Sequence, residues 1–244
     1  MMTHEDWDFI AKQNQEFSAL AESGDLTQLA LVLPNCDWQL PLMCDFEYYA
    51  EHCRHEWGPS EEDQETICSW ILDTACVLDI GFGYGHVLRR LARKFGDACA
   101  SLTLLHGADS SETAGLLLQK ELPEVELVHA DVTVGLPWGD GFFDIVVFME
   151  VLEHLSPAQG QKALVEVRRV LADDGRMVFS TRINENLSRS LLRCPSCQLV
   201  QHPAGHVRSF SETLLRAELK IAGFWLSDTM RSPGGILARC AKLS

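Results

Sequence analysis

The sequence predicts an α/β fold, a mostly parallel sheet covered on both faces, with a helical addition at the N-terminus. Three observations carry that reading. From Ala75 onwards short apolar runs alternate with helical patterns, the rhythm of strands joined by crossover helices. One of those runs feeds directly into three glycines at alternate positions and then a helix. Before Ala75 the apolar residues recur instead at a helix period.

Each element follows from its own residues. Trp7, Ile10, Asn14, Phe17 and Ala21 mark one face of a first helix. Asp25 can cap a second that stops before Pro34, and Ser60 can cap a third through Ile67, Trp70 and Ile71. Strands are expected at Cys76–Ile80, Leu102–His106, Val125–His129, Asp144–Phe148 and Arg176–Thr181. Helices are expected between several of them, at His86–Phe95, Ser111–Leu122 and Pro157–Leu171, the last opened by Ser156 followed by proline. An insertion, 183–208, precedes a helix near Ser211–Ala222 and two last apolar stretches, Phe224–Thr229 and Gly235–Cys240. The expected division is a helical segment over 1–72 and an α/β domain over 73–244.

Composition limits what such a fold can do. At 244 residues and 46% hydrophobic content the chain can bury one sizeable core. A net charge of −15 opposes binding to nucleic acid or anionic membrane surfaces. No uncharged apolar run is long enough for a membrane span, and Met1–Ile10 carries acids where a signal peptide needs bases, so a cytoplasmic location is expected. Nine cysteines, an odd number, then read as reduced thiols.

The segment VLDIGFGYGH, 77–86, is the most informative. Gly81, Gly83 and Gly85 let a ligand approach the backbone, but a dinucleotide fingerprint would need its last glycine where His86 stands. Asp79 precedes the loop, Asp109 follows the second strand and Asp131 the third. In an open parallel sheet ligands bind at that edge. Acids there suit a cationic nucleoside, with Asp109 on a ribose diol and Asp131 near an adenine amino group, and would repel a phosphate. Each acid could instead simply cap its own turn.

The ordered set VLDIGFGYG, GADSSETA, HADVTVGLPWGDGFFDIVVFMEVLEHL and EVRRVLADDGRMVFST resembles the class I S-adenosylmethionine-dependent methyltransferases, and within them the ubiquinone-biosynthesis branch. The resemblance spans about Ala75 to Phe224 and implies their Rossmann-like sheet, seven-stranded and mostly parallel. It implies S-adenosylmethionine as cofactor, with Asp79, Gly81, Gly83 and Gly85 around its methionine end. Asp109 and the neighbouring Ser110 would hold the ribose, Asp131 and Val132 would flank the adenine, and Met149 would meet the cofactor amine. Phe82 departs from the small residue or cysteine usual at its position. The region 1–72 matches no family pattern, and in such enzymes it builds the acceptor pocket. There Tyr48, Tyr49, His52, His55 and Trp57 either line that pocket or pack as core.

Two metal readings compete for His206. If the chain turns helical after the fourth strand, Glu150, Glu153 and His154 share one face. This arrangement is similar to one in metal-assisted O-methyltransferases, where a later histidine, here His206, completes the set. Such a site would take Mg²⁺, Mn²⁺ or Fe²⁺. With or without an ion, Glu150 and His154 are the expected catalytic pair. Alternatively, Cys194 and Cys197 with His202 and His206 have zinc spacing. The first expectation is methyl transfer to a small-molecule acceptor, to oxygen ahead of nitrogen or carbon, with a neutral or cationic acceptor favoured by the charge. A zinc-stapled, catalytically silent partner protein is the second, and a nicotinamide dehydrogenase is disfavoured by His86.

Overall fold

The computed structural model describes residues 2–36, 38, 58–96, 104–193, 200–233 and 235–243. Helices α1 (His4–Ser23), α2 (Leu26–Val32) and α3 (Glu61–Trp70) precede the first strand. Their starts are fixed by side chains: Thr3 and Asp6 form a capping box on α1, Asp25 accepts from the Gln28 N–H, and Ser60 accepts from the Asp63 N–H.

Strand β1 (Val77–Ile80) is buried along its whole length. Helix α4 (His86–Phe95), β2 (Leu105–Asp109), α5 (Glu112–Glu121), β3 (Glu126–His129) and β4 (Phe143–Met149) follow. Helix α6 (Pro157–Val170) starts on the capping box of Ser156 and Gln159, with Pro157 at the position where its missing N–H costs nothing. It passes directly into β5 (Leu171–Arg182), which begins five residues earlier than expected because Leu171 already pairs with Phe143. The insertion holds a short helix, α7 (Leu187–Ser190), and a two-stranded ribbon, β6 (Leu192–Arg193) with β7 (Val200–Gln201). Helix α8 (Glu212–Ile221), β8 (Phe224–Ser232) and β9 (Gly235–Lys242) close the chain.

The seven-stranded sheet runs β3-β2-β1-β4-β5-β9-β8. All pairs from β3 to β5 are parallel, and β9 is antiparallel to both of its neighbours. Alternation along the strands feeds two cores. Leu78, Ile80, Val146, Phe148, Met177 and Phe179 face α1, α2, α6 and α8. Val77, Val147, Met149 and Val178 face α3, α4 and α5. The N-terminal helices are thus part of the layers that cover the sheet. Strand order reverses between β1 and β4, so the loops beyond those two strands diverge and leave a crevice at their carboxyl ends. Among the described residues no helix is long and apolar enough to cross a membrane, and Cys36, Cys68, Cys76 and Cys240 are free thiols.

Candidate active site

The crevice is a cavity of about 320 Å³. Gly81 enters the loop beneath it with its N–H on the Ala108 carbonyl at 2.8 Å. Gly83 has φ +50°, and a Cβ built there would meet no protein atom within 4 Å. It borders the cavity, so a side chain would occupy ligand space. Gly85 does not line the cavity, contrary to expectation. It opens α4 in a left-handed conformation, φ +71°, where a Cβ would collide with the Leu118 side chain of α5. Its role is to seat two helices together.

Asp109 ends β2 and is the organising acid. Its Oδ2 accepts from the Gly83 N–H and its Oδ1 from the Ser111 N–H, both at 2.8 Å. Burial, and then the neighbouring Asp109 carboxylate, push the Asp79 carboxyl well above the usual range. A cation placed beside it would restore the carboxylate. Asp131 is exposed and does cap its own turn, accepting from the Thr133 N–H at 2.8 Å, yet it also borders the cavity. Ser110, Val132 and Met149 also line it. The donor set, two acids near a glycine cradle with no cation among them, fits an S-adenosylmethionine-like cation.

The opposite wall departs from the expected geometry. The chain after β4 does not continue as an α-helix. Glu150 takes a left-handed turn, φ +52°, and Leu152–His154 forms a single 3₁₀ turn. The three residues therefore do not line one helix face, although Glu153 stays beside Glu150 and its ligand atoms stay near those of His154. Glu150 turns to β5, accepting from Ser180 Oγ at 2.7 Å and Arg182 Nε at 2.9 Å. Glu153 points into the core, where its Oε2 accepts from Thr181 Oγ1 at 2.8 Å and its Oε1 has no hydrogen-bond partner. Burial and the nearby Glu150 raise the Glu153 carboxyl well above the usual range. His154 is pushed down to about 3 by burial and by His206, and so stays neutral.

His206 arrives from the insertion, which is fastened from two sides. The Val207 and Arg208 N–H groups donate to the Glu153 carbonyl at 2.9 and 3.1 Å. From α1, Trp7 Nε1 donates to the Val200 carbonyl and Asn14 Nδ2 to that of Val207. Behind His206 the fully buried Arg208 pairs with the fully buried Glu218 of α8 and lies over the Phe210 ring. His206 Nδ1 stands 2.7 Å from Glu185 Oε2, and His202 Nε2 stands 3.5 Å from Glu185 Oε1. Burial would raise the Glu185 carboxyl, but hydrogen bonds from His202 and His206 outweigh it and hold it down to about 2.

Potential ligand atoms of Glu153, His154 and His206 lie within 4.8 Å of one another, and so do those of Glu185, His202 and His206. Glu150 belongs to neither group, its carboxylate being taken by Ser180 and Arg182. Of the zinc reading, Cys194 and Cys197 lie outside the described residues, and the His202 and His206 rings stack with centroids 4.7 Å apart. Tyr48, Tyr49, His52, His55 and Trp57 also lie outside them. Of the described residues in 1–72, Gly58 and Pro59 reach the cavity.

Sequence reasoning missed Arg182, Glu185 and the Arg208–Glu218 pair. Glu218 had left a trace, since it falls on the apolar stripe of α8 beside Leu214 and Leu215. Glu185 had none, because its partner is 21 residues away.

A sheet of this order, with a glycine loop after β1 and an acid at the end of β2, defines a class I methyltransferase fold. Residues 77–175 match the family model described as a methyltransferase domain. It is 30% identical over 161 residues to malonyl-[acyl-carrier protein] O-methyltransferase of Geobacter sulfurreducens, covering 63% of this chain and 57% of that protein. It is 33% identical over 112 residues to a chloroplastic tocopherol O-methyltransferase of Arabidopsis thaliana, covering 46% of this chain and 31% of the relative. The chain thus spans between about a third and three-fifths of these relatives' lengths. The 1,6-didemethyltoxoflavin-N1-methyltransferase of Burkholderia thailandensis, solved with 1,6-didemethyltoxoflavin and S-adenosylhomocysteine, has the same fold. Its TM-score is 0.58 at 17% identity, over 100% of this chain and 92% of that one.

Proposed function

We propose that this protein transfers a methyl group from S-adenosylmethionine to a hydroxyl oxygen of a small, neutral or cationic acceptor. One observation carries the reading: a single cavity joins the cradle of Asp79, Gly83 and Asp109 to a wall formed by His154 and His206. The cradle suits the cofactor's cationic methionine end and its ribose. The wall faces the other end, where an acceptor would stand in line with the sulfonium. The acceptor oxygen would bond the methyl carbon as the carbon–sulfur bond breaks, the hydroxyl proton would pass to water in the open cavity, and S-adenosylhomocysteine would remain. No protein nucleophile is required, because the sulfonium is already activated. The two relatives named above are O-methyltransferases and the structural neighbour is an N1-methyltransferase, so oxygen as the target atom rests on the metal-capable wall described next.

We further propose that Glu153, His154 and His206 hold a divalent ion. The residues fit one. Their donor atoms converge, both imidazoles are shielded, and the unpartnered Glu153 Oε1 is a buried acceptor that an ion would satisfy. Such an ion supplies a Lewis acid that acidifies an acceptor hydroxyl. Glu150 instead orients Arg182 at the rim of the cavity.

The test is calorimetric titration of S-adenosylhomocysteine into metal-stripped protein. It is paired with radiolabelled methyl transfer to a panel of phenols and catechols, with and without added Mg²⁺, Mn²⁺ or Zn²⁺. Binding of S-adenosylhomocysteine with ion-dependent transfer supports both parts. Absence of binding overturns the methyltransferase reading, and transfer indifferent to ions and chelators overturns the ion.

A further inference from the structure

We infer that Glu185 is a positioning residue that fixes the ring tautomer of His206, so that its Nε2 lone pair is the one offered to the cavity. The inference rests on the proposed acceptor wall for its catalytic consequence, but the tautomers can be read without any turnover.

The argument starts from two backbone groups. The N–H groups of Ala204 and His206 both donate to His202 Nδ1, each at 3.3 Å. A nitrogen that accepts cannot carry the proton in a neutral ring, so the His202 proton sits on Nε2. That nitrogen faces Glu185 Oε1 at 3.5 Å. The other oxygen of the same carboxylate, Oε2, stands 2.7 Å from His206 Nδ1, and an ionised carboxylate offers only acceptors. The His206 proton is therefore on Nδ1, and Nε2 is left unprotonated. The ring borders the cavity and packs edge-on to His154 at a centroid distance of 5.0 Å. The Glu185 carboxylate thus sets the tautomer of His206, while two backbone N–H groups set that of His202.

The same logic separates the two convergent groups. A metal on Glu185, His202 and His206 would need His202 Nε2 as ligand, which moves the His202 proton to Nδ1, against two backbone N–H donors. A metal on Glu153, His154 and His206 can use His206 Nε2 while its Nδ1–H keeps the Glu185 carboxylate. That is the usual support for a ligating histidine, and its removal typically weakens metal binding by roughly 10–100-fold. Glu185 enters on the segment just after β5 and is tied to neither Glu153 nor His154 in the hydrogen-bonding pattern described above. Its charge also acts on His154 directly, so its influence on an ion would combine that charge with the hold on His206.

The experiment uses the 244-residue chain with nitrogen-15-labelled histidine, metal-free. Long-range proton–nitrogen correlation spectra should show His206 protonated on Nδ1 and His202 on Nε2. Glu185→Gln, nearly isosteric, puts an amide NH₂ in place of one carboxylate oxygen and Glu185→Ala removes the acceptor outright, so the His206 proton should move towards Nε2 in at least one of them while His202 keeps its tautomer. Titration with Mn²⁺ or Zn²⁺ alone should then weaken by about 10–100-fold in Glu185→Gln, with S-adenosylhomocysteine affinity unchanged as the check on folding. His206 protonated on Nε2 in the native protein, or tautomers unmoved in both Glu185→Gln and Glu185→Ala, would overturn the relay. The expected tautomers with no ion binding would uphold the relay and remove the ion from the proposed function, so the two readings fail separately.

Discussion

Replacing Asp109 by alanine separates the two tasks its carboxylate performs. In the free protein each oxygen accepts one backbone N–H, from Gly83 and Ser111, at 2.8 Å. Stripped of this acceptor beside a water-accessible cavity, each N–H costs about 1 kcal/mol, so stability falls by about 2 kcal/mol and the melting temperature by roughly 4–8 °C. The cofactor loses more. Two hydroxyl donors of a ribose on a carboxylate are worth roughly 1.5–3 kcal/mol each, and partial replacement by water leaves a net loss of about 3 kcal/mol, about 10²-fold in affinity. Asp109→Asn keeps one acceptor oxygen and loses the charge, and should fall between. Scanning fluorimetry gives the first quantity and calorimetric titration with S-adenosylhomocysteine the second. An affinity loss below about threefold in Asp109→Ala would refute the placement of the ribose on this acid.

Asp79 gives a pH dependence with a defined sign. Its folded-state pKa is raised, so its contribution to stability is present at low pH and is lost as pH rises through the folded value. Asp79→Asn should therefore stabilise the free protein at neutral pH while weakening binding of the cationic cofactor. In the native protein, binding of S-adenosylmethionine below that pKa should release a proton, seen as a buffer-dependent calorimetric heat; a heat independent of buffer would count against it. Gly83→Ala should cost about 1 kcal/mol of stability from its left-handed φ, and proportionally more in cofactor affinity, measured by the same titration. Arg208→Met leaves Glu218 buried without its partner and should lose roughly 3–5 kcal/mol in urea unfolding, whereas Arg208→Met with Glu218→Leu should recover most of it. A double variant no better than the single one would mean that the pair contributes little by itself.

The parts of this fold that the sequence announced are those governed by neighbours in the chain. Ser156 and Pro157 start α6 because capping is local, and the acids 79 and 109 fall at strand ends because alternation and loop length place them. Failures came where a side chain answers to a distant strand. Glu150, Glu153 and His154 have helical spacing, but the turn is decided by β5, whose Ser180, Thr181 and Arg182 take the two carboxylates. His206 was expected to be shared between two candidate groups, and the structure places it in two, though with other members than expected. Its actual partner, Glu185, lies across a loop that periodicity cannot fold.

This division has a functional logic. The cofactor end of the cavity is built from contacts within β1, β2 and the loops that leave them, so a short continuous stretch of sequence suffices to specify it. The opposite wall depends on an insertion that the Glu153 carbonyl, α1 and the Arg208–Glu218 pair hold in place together. Trp7 and Asn14 reach it from more than 190 positions away, each separated by 193 residues from its partner. Helix α1 contributes no described residue to the cavity lining, yet it fixes the segment that carries His202 and His206. The wall opposite the cradle is therefore a product of the tertiary fold, held by the insertion and helix α1 rather than by the strand ends that build the cradle.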